Sequence, residues 1–209
     1  GEPGPERAFA NAFNFDGRIV EEWRLGAGGL TGVWAEENTR ESIWDAMKRK
    51  ETYATTGPRI KVRFFGGFDF ADGDAADLVK AGYAKGVPMG GDLKASPDGQ
   101  APVFLIAALK DPEGANLDRV QIIKGWLGAD GQTREKIYDV KWAGDRRPDA
   151  NGKLPPVGNT VDLKTATYVN SIGATELVTR WTDPEFDSKL KAVYYVRVLE
   201  IPTPRWTAY

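Results

Sequence analysis

GGLTGVWAEENTRESIWDAMKRKETYATTGPRI, residues 28–60, brings three kinds of local structure together without a gap. Gly28 to Ala35, with Leu30, Val33 and Trp34, is short and apolar enough for a buried strand. Asn38 and Thr39 read as a helix start. Asn38 and Glu41 have the spacing of a capping box, although Asn in place of Ser or Thr weakens the match. In the helix that follows, Ile43, Trp44 and Met47 share one face. Lys48, Arg49 and Lys50 fill the last turn, where the negative end of the dipole favours cations. Threonines and Gly57-Pro58 break the helix. From Arg59 the period changes to two, with Ile60, Val62 and Phe64 on one side and Arg59, Lys61 and Arg63 on the other. Strand, helix and alternating strand mark an α/β unit passing into a β domain, with the joint near 52–58.

Length and composition narrow the classes of function. A chain of 209 residues can bury a core as one large domain or two modest ones. A net charge of −2 offers no basic stripe for a phosphate backbone, which argues against nucleic acid. No run approaches a spanning helix, so no membrane partner is expected. The opening GEPGPER reads as the interior of a longer protein or as an edge introduced by cloning, so a signal peptide could have been lost and its absence decides nothing. The compartment stays open, with periplasmic or secreted placed ahead of cytoplasmic. There is neither cysteine nor histidine. These residues therefore form no zinc site of the usual kind, no Ser-His-Asp triad and no Cys-His pair.

On either side of the opening stretch the reading is mainly β. Upstream, 18–24 reads as a strand or short edge piece after a turn at Asp16-Gly17. Downstream, Asp69, Asp72, Asp74 and Asp77 lack EF-hand spacing, and Asp74 instead caps a short helix from Ala75 to Ala81 that ends at Gly82. A long Gly/Pro loop occupies 82–102. PVFLIAAL, 102–109, is a strand covered on both faces. Val120 to Trp126, Lys136 to Trp142 (Tyr138, Val140 and Trp142 inward), Thr165 to Asn170, Thr175 to Thr182 and Ala192 to Glu200 complete the strands. Arg146 and Arg147 read as a solvated loop face. The pattern implies an antiparallel β-sandwich of immunoglobulin-like character. Seven tryptophans suit a packed core or a sugar-stacking surface.

Four segments also carry a resemblance: ENTRESIWDAMKRKETYATTGPRI (37–60), GVPMGGDL (86–93), LDRVQIIKGW (117–126) and YYVRVLEIPTPRWTAY (194–209). Together they resemble the C-terminal part of an uncharacterised bacterial family (a DUF). Its members carry an N-terminal domain similar to the PHP (polymerase and histidinol phosphatase) metal-dependent phosphoesterases. The resemblance implies that 1–58 is the end of a PHP-like α/β barrel and 59–209 a β-sandwich domain. It further implies a metal-dependent hydrolase whose divalent ions are held by histidines upstream of this chain, so that no metal ligand is expected here. The partners implied are the remainder of the PHP-like domain and a small ester substrate, and a homo-oligomer is left open. Glu36 and Glu37 would stand just past the carboxyl end of the last barrel strand, the face on which such barrels assemble their sites. There one of them would do acid/base or metal-supporting work, or else Glu36 faces solvent and Glu37 is a favourable charge at a helix N-terminus. Arg40, a cation in the first helical turn, is there to pair with a carboxylate or to hold a substrate phosphate. Asp92 is the ionisable group of the GVPMGGDL loop, which would fold toward the catalytic domain or form an ordered turn. The alternative from a different class is a non-catalytic sandwich used for binding or assembly.

Overall fold

Alternation decides which way each side chain points after Arg59. The computed structural model, which describes residues 13–15, 17–20, 29–94 and 98–204, turns that alternation into two facing antiparallel sheets. Its strands are β1 (Phe13–Phe15), β2 (Arg18–Val20), β3 (Leu30–Val33), β4 (Thr52–Thr55), β5 (Lys61–Gly67), β6 (Gly86–Pro88), β7 (Val103–Leu109), β8 (Leu117–Leu127), β9 (Thr133–Trp142), β10 (Glu176–Thr182) and β11 (Ala192–Glu200). Two helices interrupt them, α1 (Arg40–Lys48) and α2 (Leu78–Lys85), the latter preceded by a 3-10 turn over Asp72–Asp77. One sheet has the order β10-β7-β5-β6 and the other β11-β8-β9, while β1-β2 and β3-β4 form two-stranded ribbons.

The core lies between the two larger sheets. Ile60, Phe64, Phe104, Ile106 and Leu177 from one meet Leu117, Val120 and Ile122 from the other. The chain is thus a β-sandwich. The apolar run of β7 is covered on both faces, as expected: Val103 and Leu105 turn outward and pack with Phe65 against Phe70, Leu78 and Ala81. Gly82 lies inside α2 instead of ending it, because a β-carbon there would collide with the Phe65 ring. The Gly/Pro loop expected over 82–102 is accordingly shortened by the rest of α2 and by β6, which pairs with the edge of β5.

Three local expectations are corrected. Thr165 to Asn170 is no strand: a single bridge joins Asp162 to Thr167 around a turn in which Ala166 has φ 52°. Trp142 does not continue the inward alternation. An irregularity in the β8–β9 register sets it opposite Arg119, where its Nε1 donates to the Arg146 carbonyl at 2.7 Å. Arg146 is a clamp rather than a solvated residue, since its guanidinium donates to Asp118 Oδ1 at 2.6 Å and to the carbonyls of Asp118, Ala143 and Pro155. Upstream, β1 and β2 form a hairpin turning at Gly17 (φ 77°). The proposed continuation of that strand over 21–24 lies outside the described residues.

One carboxyl is poorly placed. Glu200 Oε1, at the end of β11, is buried without a hydrogen-bond partner among the described residues. Burial, and then the Asp111 charge, raise the Glu200 pKa above its ordinary 4.5. Below that value the carboxyl is protonated whether the chain is folded or not, so its ionisation has no effect on stability there. As pH rises toward the folded pKa, ionisation favours the unfolded chain, and the penalty is complete above it. Glu200→Gln is therefore expected to leave the melting temperature nearly unchanged near pH 4 and to stabilise by about 1 kcal/mol near pH 7. Calorimetric melting at the two pH values checks this, and a stabilisation independent of pH counts against it.

Candidate functional site

The strand and helix of the opening stretch both form, with changed ends. Thr39, rather than Asn38, caps α1, its Oγ1 accepting from the Ser42 amide at 3.3 Å. The helix stops after Lys48 in a Schellman arrangement: the Glu51 amide reaches the Ala46 carbonyl and the Lys50 amide that of Met47, with Lys50 itself at φ 61°. The stretch expected to break the helix then becomes β4, pairing antiparallel with β3 from Val33↔Thr52 to Leu30↔Thr55. Of the expected apolar face, Ile43 is half-buried, but Trp44 is 64% and Met47 51% exposed. Ala46 alone in the helix is buried.

Glu36 and Glu37 sit in the connection from β3 to α1 and line one open depression of about 250 Å³ with Val33, Ala35, Asn38 and Ile43. Both carboxylates are exposed, and the Glu37 amide donates to Ser42 Oγ at 3.2 Å. Arg40 opens α1, exposed, with no ion pair to either glutamate among the described residues. Asp92 lies elsewhere. Its loop meets the other end of α1, where Gly90 (φ 80°) packs so closely on the Lys50 carbonyl that no side chain fits. Nine residues of helix separate these ends by about 13 Å. The structure thus gathers Glu36 and Glu37, sets Arg40 beside them, and keeps Asp92 apart. Among the described residues no three acidic side chains converge to hold a metal ion, so this set does not fit a divalent cation and no metal-dependent step is derived from it. Nor does any helix among them have the length and apolarity to cross a membrane.

Two buried polar clusters escaped the sequence reading. In the first, Glu51, 2% exposed, accepts from Arg63 Nη1 at 3.4 Å and Arg49 Nη2 at 3.5 Å, and from the Tyr83 hydroxyl. The Arg63 guanidinium lies 3.4 Å from the centroid of the Trp34 ring, and Trp34 Nε1 donates to the Val62 carbonyl at 2.8 Å. Burial, reinforced by the bond to Glu51, pushes the Tyr83 pKa up. This cluster fixes the β3–α1–β4 unit to the outer face of β5 and to α2, and so sets the position of the depression.

The second cluster plugs one end of the sandwich. Lys124 points inward in step with Val120 and Ile122, and its Nζ donates to Asp183 Oδ2 at 2.5 Å and to the Glu185 carbonyl at 2.7 Å. The Tyr194 hydroxyl donates to the same Asp183 oxygen at 2.6 Å. Burial, and then the Asp183 bond, raise the Tyr194 pKa well above the usual phenol range. Glu185, held by Lys136, has its pKa lowered and accepts from the Tyr138 hydroxyl at 3.1 Å. A small cavity of about 70 Å³ beside Lys124 and Trp126 completes this end. The signal for Lys124 was its parity, a lone cation on the core-facing side of an apolar strand.

Fold and site together define a β-sandwich protein with a strand–helix–strand unit clamped to one sheet and an open acidic depression on that unit. Residues 5–209 match the family described as "Protein of unknown function (DUF3604)", and the chain belongs to that family. No curated protein and no solved structure matches it.

Proposed function

We propose that this chain is the C-terminal portion of a metal-dependent hydrolase of the phosphoesterase kind. In this reading a sandwich of immunoglobulin-like character buttresses an α/β barrel similar to the PHP enzymes. The observation that carries the reading is the β3–α1–β4 unit itself. It is rigidly held from behind, yet it leaves Trp44 and Met47 exposed on a helix whose front end carries Glu36, Glu37 and Arg40. An apolar helix face left open beside a cluster of charges is what remains when the rest of an α/β domain belongs against it. Divalent ions, bound by polypeptide outside this chain, would supply the charge that activates water. The chain's own residues have separate tasks. Glu36 or Glu37 takes or returns a proton at the rim, Arg40 holds an anionic oxygen of a small ester, and Asp92 contacts the substrate or the adjoining domain from the far end of α1.

The longer protein, loaded with manganese or zinc, is expected to hydrolyse an aryl phosphate in a chelator-sensitive way, and the 209-residue chain alone to do nothing. Glu36→Gln or Glu37→Gln in the longer protein is expected to cost about 10²-fold or more in kcat. Chelator-sensitive turnover by the 209-residue chain overturns the division of labour, and full activity in both variants overturns the site.

A further inference from the structure

The outer face of the three-stranded sheet is unlike an ordinary solvated sheet surface. Register sets the side chains of β9, β8 and β11 in rows across it: Glu135–Gly125–Val193, then Ile137–Ile123–Tyr195, then Asp139–Gln121–Arg197. Ile137 is 45%, Tyr195 52% and Val193 67% exposed, around a buried Ile123 and a glycine that contributes no side chain. Large apolar groups gathered on one face, rather than scattered, mark an interaction surface. Two charges stand at opposite corners of this patch without an ionic partner among the described residues. Glu135 makes no ion pair there, and Arg197 has only the neutral Gln121 carbonyl, at 2.9 Å. The third row's Asp139 is, by contrast, bonded to Gln121 and Arg119.

The geometry points to a second copy of this chain as the occupant, packed face to face about a two-fold axis that runs along the diagonal from Val193 to Asp139. That operation exchanges rows for strands, so the two sheets cross near a right angle, one of the two ways in which sheets pack. It sets Glu135 of each copy over Arg197 of the other. It also lays each Tyr195 ring over the partner's Gly125, a projection meeting a flat floor, while Ile123, Val193 and Asp139 meet their own counterparts, each Asp139 carboxylate being bonded to Arg119 and Gln121 of its own copy. The other diagonal would put Val193 against Asp139 and leave both unpaired corner charges facing like charges. Isologous pairing of this kind closes at two subunits. The face is small: three strands about 4.8 Å apart and about nine residues long offer on the order of 400 Å² per copy, about half of a standard interface. The dimer is accordingly weak, with a Kd in the micromolar to submillimolar range. This inference is independent of the hydrolase reading.

Sedimentation equilibrium of the 209-residue chain up to about 500 μM tests it. A monomer–dimer equilibrium is expected. Tyr195→Ala, Glu135→Arg and Arg197→Glu are each expected to weaken it about tenfold or more, while the double variant E135R/R197E recovers to within about threefold of the parent. All three positions of change lie on the exposed face, and circular dichroism with thermal melting confirms that each of the four variants folds. A chain that stays monomeric at the highest concentration, assembles beyond two copies, or forms a dimer indifferent to these substitutions overturns the inference. Failure of the double reversal to recover overturns the stated orientation.

Discussion

Glu51→Ala is expected to lower stability by about 3–5 kcal/mol, the cost of removing one partner from a buried, hydrogen-bonded charge cluster. In a chain of this size that is a fall in melting temperature of about 10 °C or more. The reason is the company Glu51 keeps: two guanidinium groups and a phenol converge on a carboxylate that is 2% exposed. Without it, Arg63 is left half-buried against Trp34 with no counter-charge. Arg63→Ala attacks the same cluster, so the double variant E51A/R63A is expected to cost less than the sum of the two single changes. Tyr83→Phe removes one hydroxyl and is expected to cost only about 1 kcal/mol. Urea unfolding followed by tryptophan fluorescence measures all four. A loss below about 1 kcal/mol for Glu51→Ala would show that the cluster is solvated rather than buried.

Asp183→Ala should be of similar size, about 3–5 kcal/mol, because it strands the Lys124 ammonium in the end of the sandwich. The informative comparison is with the triple variant K124M/D183L/Y194F, in which the whole polar plug is replaced by apolar groups of related volume. That variant is expected to stay within about 2 kcal/mol of the parent, since desolvation offsets most of what a buried ion pair contributes. The single change thus reads the penalty of an orphaned charge, and the triple reads the net worth of the cluster. Denaturant unfolding of both decides the matter: a triple variant as unstable as Asp183→Ala would mean that the polar groups hold the two sheets together through their own attraction.

The parts of the fold that follow from periodicity were legible from residues alone. Ile60 and Phe64 face the core and β7 is covered on both sides, because a strand's alternation leaves its side chains only two directions. The start of α1 was legible to within a residue, for caps announce themselves by type. Its end was not. Lys50 adopts a left-handed conformation usually given to glycine, and nothing in its chemistry announces this. β6 was hidden because Gly86 and Pro88 are poor strand residues, tolerated there because the strand is short and lies at the sheet edge. For the candidate site, the pairing of Glu36 with Glu37 followed from their place after a strand. The separation of Asp92 from Arg40 did not, since it depends on which end of α1 the GVPMGG turn approaches.

That approach has a consequence for how such proteins can be recombined. Because the Gly90 backbone sits directly against the Lys50 carbonyl, the front unit and the sandwich are fitted to each other at a point with no side chain to adjust. A chimera that exchanges residues 29–55 between relatives must therefore bring 86–91 with it. Crossovers placed between the two segments would join halves whose surfaces were shaped for different neighbours.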